Sequence, residues 1–451
     1  VAIKTSSLYQ EIKEIIARGG NGTIGRWEAI FLVNGEEIKA DQVTQFRVNA
    51  NYAEFFAPQI SLSFMLSGAL YRNKLYRNRR DLRVRMTFTN VMEVGESDGN
   101  TRPIETYEYR AVLANEDDQV LQASSIAETN PANADLGSFQ EYHVDLLNDV
   151  VFQLRTKLIG GVYVKQTTAS VMRTLLTNLT QGVKVSADIA CLGVDLIKPD
   201  NTEVRDHVII EHGVRLVDLP KYLQRKVGGI YNTGLGAFYH KRHWYVFPLY
   251  DVTRFKNSKR TLTIANIPSR EFPHQERTYK IDGGHVYIIA TGDTKHVDRS
   301  ERDQLNQGSG TRYVRSKTVF EGFAEVKGNK AFIDRSKNGN EYLADKSPTN
   351  LHYTPVSGHR VTDNHCEELT ALAKRRGSVV QTVWENGYIG CLHPGMPVRL
   401  LYMHGETIRQ IDGCLLSAES VSIAAGTMAR SVKHQTTVVL SVFVMRTEVD
   451  N

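Results

Sequence analysis

The feature that most limits what this chain of 451 residues can fold into is an alternation of apolar and polar side chains with a period of two. Ile60, Leu62, Phe64 and Leu66 alternate with Ser61, Ser63 and Met65, and Leu82, Val84, Met86 and Phe88 alternate with Arg83, Arg85, Thr87 and Thr89. Tyr107, Tyr109, Ala111 and Leu113 continue the pattern. Successive side chains of a strand point to opposite faces, so each run has one dry and one wet face. Strands of this kind, separated by turn residues, predict an antiparallel barrel or sandwich from Trp27 to about Leu113. The same period returns in roughly the last ninety residues, which close on "TTVVLSVFVM".

Helical spacing interrupts the strands. Leu8, Ile12, Ile15 and Ile16 share one face, Ser7 and Gln10 form a capping box, and Gly19-Gly20 end the element. A second helix begins near Asp145 with Leu147, Val151, Leu154 and Leu158, and a third runs from about Thr168 through Met172, Leu175, Leu176 and Leu179. A short one is capped by Asp218, with Pro220 in its first turn. Asn364 and Glu367 cap a later helix that ends at Gly377. Among these lie extended runs such as "HVIIEHGVRLV", "GAFYHKRHWYVFPLYDV" and "GGHVYIIATGD". Residues 294–362 are polar and glycine-rich, a composition that orders against a partner.

The length suggests about three domains. Hydrophobic residues at 41% and charged residues at 23% describe a soluble globular chain with enough apolar side chains for more than one core. The net charge of +5 neither demands nor excludes an anionic partner. Four scattered cysteines, Cys191, Cys366, Cys391 and Cys414, form no disulfide framework and suit a reducing cytoplasm. No apolar run reaches the roughly 18 residues that span a bilayer. The N-terminus carries charges where a secretion signal has its apolar core, so a soluble, non-secreted protein is expected.

Chemistry-bearing patterns are few. Gly20, Gly22 and Gly25 match G-x-G-x-x-G, but a helix precedes them and a strand follows, the reverse of a dinucleotide site. His240 and His243, read as one strand, point to opposite faces. His207 and His212 are five apart, where a helical zinc pair needs four. In "CLHPGMPVRLLYMHG", Cys391 and His393 could share a face, with His404 and Cys414 beyond, but the spacing matches no zinc site. Glu367 and Glu368 sit in a first helical turn, where acids complement the dipole. No nucleophile elbow or Cys-His signature occurs, so no active site, cofactor site or metal site is expected.

The densest charge lies in "YRNKLYRNRRDLRVR", where Arg72, Lys74, Arg77, Arg79, Arg80, Arg83 and Arg85 face the single acid Asp81, with Tyr71 and Tyr76 interleaved. One reading is a strip for nucleic acid. The other, preferred because the whole chain is only mildly basic, is a solvated hairpin face or a surface that meets an acidic neighbour.

"RRDLRVRMTFTNVMEVG" and "HPGMPVRLLYMHGE" share a polar entry, an arginine-bearing strand and a glycine turn. Together with "VRLVDLPKYLQRKVGGIYNTGLGAFYHKRHWYVFPLYDVTR", "LTIANIPSREFPHQERTY" and "LNQGSGTRYVRSKTVFEGF", they resemble the baseplate or tail-tip hub proteins of tailed bacteriophages, related to the N-terminal half of VgrG and to late-control D proteins. The resemblance covers about two thirds of the chain. It implies an α+β, mainly β fold, with two tube-like antiparallel β-barrel or sandwich domains flanking a mixed α/β middle domain. The units would be a helical arm over 1–20, a first β domain over 21–144, the middle domain over 145–315, and a second β domain over 316–451 that starts with a long polar loop. The resemblance further implies a non-enzymatic virion component at the distal end of the tail, assembled in the host cytoplasm. A homotrimeric pseudo-sixfold ring would join the tail tube protein to the central spike protein, touch baseplate wedge or other tail-tip proteins, and meet DNA only in transit. Arg72, Lys74, Arg77, Arg79, Arg80, Arg83, Arg85 and Arg399 become candidate interface residues. A DNA-contacting virion protein that uses 72–85 is the alternative, and a metal-dependent hydrolase around Cys391, His393 and His404 a third. The "CLHPGMPVRLLYMHG" stretch then reads as the entry to a strand, with Pro394 and Pro397 confining pairing at its start.

Overall fold

A computed structural model describes residues 12–13, 15, 20–21, 25–90, 105–113, 139–185, 189–266, 277–290, 295–297, 311–315, 324–327, 330–333, 342–343, 352–356, 366, 369–370, 373–374, 377–404, 407–425 and 433–445. The N-terminal strands are β1 (Gly25–Val33), β2 (Glu36–Lys39), β3 (Gln42–Asn51), β4 (Gln59–Ser67), β5 (Arg83–Asn90), β6 (Glu105–Leu113) and β7 (Phe139–Leu147). The middle of the chain forms α1 (Asp149–Thr156), β8 (Leu158–Thr167), α2 (Thr168–Gln181), β9 (Gly193–Leu196), β10 (Val204–Arg215), α3 (Leu219–Lys226), β11 (Leu235–His240) and β12 (His243–Pro248). Then come β13 (Thr261–Asn266), β14 (Arg277–Asp282), β15 (His285–Ala290), β16 (Gly377–Glu385), β17 (Pro397–His404), β18 (Thr407–Ala425) and β19 (Lys433–Met445).

The strand order β18–β3–β4–β7–β6–β5–β1–β19 returns to β18, so eight antiparallel strands close on themselves. Alternation supplies the interior: Phe31, Leu62, Phe64, Val84, Met86 and Phe88 are fully buried in one core. The chain between β4 and β5, expected as a hairpin face, instead folds into helical turns over Gly68–Leu70, Tyr71–Leu75 and Tyr76–Asn78. Ser67 caps them by accepting the Leu70 N–H, and Tyr71 and Leu75, four apart, share the inward face. Tyr71 stacks on Tyr142 at 3.7 Å between ring centroids. This end of the barrel is therefore filled.

Closure between β1 and β19 rests on one residue pair, Gly25 with His434. The fully buried His434 ring completes it, its Nδ1 accepting the Trp27 N–H at 3.2 Å and its Nε2 donating to the Val43 carbonyl at 2.9 Å. Only the neutral Nε2–H tautomer makes both bonds.

A second sheet runs β16–β19–β18–β17–β13–β15–β14. It is mixed, not antiparallel, since β13 lies parallel to both β15 and β17. Its first five residues are buried on both faces, the condition under which parallel strands are stable. The open side, between β14 and β16, is bridged by Trp384 Nε1 donating to Thr278 Oγ1 at 2.9 Å. Both sheets share β18 and β19. Along one edge β18 pairs with β17 through Cys414 and with β3 from Ser417, and the register shifts between them. At that shift the Leu416 carbonyl accepts the Tyr52 N–H at 2.9 Å. Strand pairing therefore runs across the expected boundary at 144/145, and β13 to β15, placed by the sequence in the middle unit, join the second sheet.

The middle segment has its own core, with α1, α2 and α3 against the β8–β10 ribbon and the three-stranded sheet β9–β12–β11. Gln224 staples α3 to the following loop, donating to the Tyr231 carbonyl at 2.7 Å and accepting the Ile230 N–H at 2.8 Å. The helix expected from Asp145 starts after Asn148, whose side chain accepts the Val150 N–H, and Leu158 belongs to β8. α2 begins at Thr168 as expected. The run holding His240 and His243 is a hairpin, not one strand. Lys241 and Arg242 turn it with φ of 45° and 70°, which makes the two histidines direct cross-strand partners. Ile12 and Ile15 are helical and buried. The Ser7–Gln10 and Asn364–Glu367 caps and most of 294–362 lie outside the described residues.

Replacing His434 by leucine strands a buried N–H and a buried carbonyl, a loss of about 2–5 kcal/mol. Glutamine, which can accept and donate at the same positions, recovers at least half of it. Urea midpoints of the three proteins measure both effects.

Candidate functional site

The filled end of the barrel contrasts with the other end, where a cavity of about 980 Å³ opens. Inward residues of the barrel, Phe46, Val48, Ile60, Ser420, Ser422 and Thr436, line one wall. The remaining walls are β6 from Glu105 to Arg110, α1, the β11–β12 turn and the Gly387–Gly390 turn, so the cavity lies where the barrel, the middle segment and the second sheet meet. β7 ends at Leu147 and Asn148 starts α1, so among the described residues no strand pairs with the first half of β6 on this side.

Its polar groups are largely engaged with one another. The Glu105 carboxylate accepts the Tyr107 hydroxyl at 2.9 Å and the Tyr388 hydroxyl. Arg83 Nη1 lies 2.9 Å from Asp149. The Arg110 guanidinium sits 4.4 Å above the Phe152 ring and donates to the Arg80 carbonyl at 3.0 Å. Lys241 Nζ donates to the Gly390 carbonyl, and burial lowers its pKa. Among the lining residues, buried Tyr239 Oη, His240 Nε2 and Arg110 Nε make no hydrogen bond among the described residues, Arg110 Nε lying 3.8 Å from an Asp149 oxygen. Burial, reinforced by Lys241, lowers the His240 pKa to about 3, and the hydroxyl of buried Tyr239 is raised for the same primary reason.

The opening "CLH" segment reaches this junction. Cys391 closes a short helical turn and its thiol donates to the Tyr388 carbonyl at 3.0 Å. The His393 ring stands 6.4 Å from His240 and 6.0 Å from Tyr245, and desolvation, followed by Arg260 and Lys241, lowers its pKa to about 4. Pro397 begins β17 opposite Cys414, whose thiol donates to the Asp251 carbonyl at 2.7 Å. All four cysteines are buried free thiols, and among the described residues no three His, Cys, Asp or Glu side chains form a metal-holding group. The carboxylates of this arrangement are held by hydroxyls or guanidinium groups.

The basic segment lies on the barrel and is partly neutralised by its own chain. Lys74 pairs with Glu36 at 2.6 Å and Arg85 with both Glu37 and Glu108 at 3.0 Å. Arg79 covers the Tyr76 ring at 4.5 Å. Arg72, Arg77, Arg80 and Arg83 are exposed, Arg83 bridging to Asp149. Arg399 stands apart on the second sheet, paired with both Asp412 oxygens at 2.9 and 3.1 Å and stacked 3.9 Å over Phe255. Glu105, Arg110, Tyr239 and Tyr388 were not singled out from the sequence. The available signal was "ETYEYR", where polar and aromatic side chains occupy both phases of a strand that turns apolar only at Ala111.

The sequence profile of the family described as Bacteriophage PBS1 gene 109 protein matches residues 26–348. No curated protein sequence matches the chain. Among solved structures, a tail protein from Neisseria meningitidis MC58 is similar at 12% identity and a TM-score of 0.43, covering 92% of this chain and 96% of that one. The 43 kDa tail protein of prophage MuSo2 from Shewanella oneidensis is similar at 12% identity and 0.45, with the same coverage. The half-lidded PdpA–VgrG complex of Francisella is similar at 9% identity and 0.43, covering 98% of this chain and 61% of that chain.

His240 and His393 are both neutral in the fold, with pKa values below the roughly 6.5 of an unfolded histidine. The unfolded chain therefore takes up protons first as the pH falls. Their contribution is complete above about pH 6.5 and is lost progressively toward about pH 4 for His393 and about pH 3 for His240, by at most about 1.4 kcal/mol per pH unit for each ring. Urea midpoints at pH 7.5, 6 and 5 will fall in that order, and the trend will flatten in His240→Asn.

Proposed function

Because the chain belongs to the Bacteriophage PBS1 gene 109 protein family, we propose that it is a structural protein of a phage tail: the hub of a baseplate or tail tip, without catalytic activity. Three copies form a ring that joins the tail tube protein above to the central spike protein below, with wedge or other tail-tip proteins outside and DNA passing at ejection. It resides in the virion at the distal end of the tail after assembly in the host cytoplasm.

One observation carries this reading. The barrel and the second sheet are fused through β18 and β19, so each subunit holds two β units in a fixed relation. Three such subunits present six β units, which lets a threefold spike meet a sixfold tube. Side chains fill one end of the barrel, so a path for DNA is better provided between subunits than through one. Exposed Arg72, Arg77 and Arg80 are suited to an acidic neighbour in the assembly, and Arg399, with Lys74, Arg79, Arg83 and Arg85, to contacts that keep their internal pairs. The alternative, DNA contact through 72–85, is weakened by Glu36, Glu37, Glu108 and Asp149, which already answer three of its cations.

The solution mass of the purified chain, followed by electron-microscope class averages of the oligomer, tests the proposal. A threefold ring with an open channel and six similar lobes is expected, and a ring of any other symmetry overturns it. For the alternative, the triple replacement Arg72→Ala, Arg77→Ala, Arg80→Ala will leave retention on duplex DNA unchanged at about 150 mM salt, where a phosphate-binding strip loses affinity steeply.

A further inference from the structure

Among the described residues, one edge of β6 in the wall of the junction cavity has no strand beside it. β6 lines the cavity with six consecutive residues, Glu105 to Arg110. Side chains of a strand alternate between faces, so consecutive residues line one cavity only where the strand presents its edge. The register says which backbone groups lie along that edge. Across β5 and β6 the Ala111 N–H donates to the Leu82 carbonyl at 2.9 Å, and the pairing continues without a shift back to Glu105. In an antiparallel ladder, bonded and non-bonded pairs alternate. Tyr109 and Tyr107 therefore bond to β5, while Thr106 and Glu108 turn their N–H and C=O groups the other way. Arg110, next in that series, is met by Leu147 of β7, but Thr106 and Glu108 have no strand beside them among the described residues.

We infer that this edge accepts an extended, acidic peptide segment of another protein, which adds as a strand to β6 and completes the barrel wall. The backbones of Thr106 and Glu108 offer four hydrogen bonds to such a strand, the sheet-edge mode of peptide recognition. Side chains on one face of the strand enter the lumen against Phe46, Val48 and Ile60, which selects apolar residues at alternate positions. Charge selects the rest. Five cations line the cavity, Arg83, Arg110, Lys184, Lys241 and Arg242, against the three carboxylates Glu105, Glu108 and Asp149. Since Asp149 lies between Arg83 and Arg110 and Glu108 is met by Arg85 from outside the lining, the wall keeps a cationic surplus. The buried Tyr239 hydroxyl adds a donor for an arriving carboxylate. The inference does not depend on the symmetry of the ring.

The test uses the full chain and an acetylated, fluorescently labelled nonapeptide of alternating valine and glutamate, with lysine replacing glutamate in the control. Fluorescence anisotropy will show the glutamate peptide binding at least tenfold more tightly than the lysine peptide. Thr106→Pro will weaken it at least tenfold, because proline removes an edge N–H while leaving the β5 ladder intact. In the unaltered chain, saturating glutamate peptide will slow amide hydrogen exchange at Thr106 and Glu108 and leave Tyr107 unchanged. No binding, equal binding of the two peptides, or binding without slowed exchange at Thr106 and Glu108 overturns the inference.

Discussion

The pairing of β18 with β19 is the interaction on which the rest of the fold depends. From Gly413 to Ala425 these strands hold each other, and every other strand of the two large sheets is attached, directly or in sequence, to one of their outer edges. Along each outer edge the partner changes part-way. β18 passes from β17 to β3, and β19 passes from β16 to the single contact with β1. The extra residue at Leu416 makes the exchange possible, because a bulge bends the strand and raises its local twist, which re-aims one edge from the flat sheet to the barrel. Both structures are thereby parts of one hydrogen-bonded body, with separate apolar cores on either side of the junction.

Much of the local structure was legible because it obeys a simple period. Alternation placed β1, β4, β5 and β19, and the long amphipathic pattern placed α2. What escaped was set by distant partners or by unusual backbone. Nothing near Leu416 announces that a 19-residue strand serves two sheets, since each half alternates as any half-buried strand does. The turn between β11 and β12 lacks the glycine or asparagine that usually marks positive φ, so His240 and His243 read as one strand. The charge density of 72–80 masked the four-residue spacing of Tyr71 and Leu75 beneath it.

The junction cavity was less legible than the fold, and for a physical reason. Its walls come from many separated stretches, each too short to carry a motif, and they are brought together only when three cores pack against one another. "CLHPGMPVRLLYMHG" illustrates the point. Its own pattern correctly marks the entry to β17, yet His393 owes its unusual electrostatics to His240, Lys241 and Arg260, which no local reading could supply. The family match extends over residues 26–348, and the carboxylates in the cavity are held by hydroxyls and guanidinium groups.

The seam at His434 has a consequence for synthesis. Trp27 waits 407 residues for the ring that accepts its N–H. At roughly 5–20 residues per second, a ribosome takes on the order of 20–80 s to cover that distance. Throughout that interval β1, β3 and their neighbours exist as an incomplete sheet with two open edges and no β18 or β19 to cover them. The strands around β1 therefore mature only once β19 has been made, and they are the region that most needs protection from pairing with another copy on the same message.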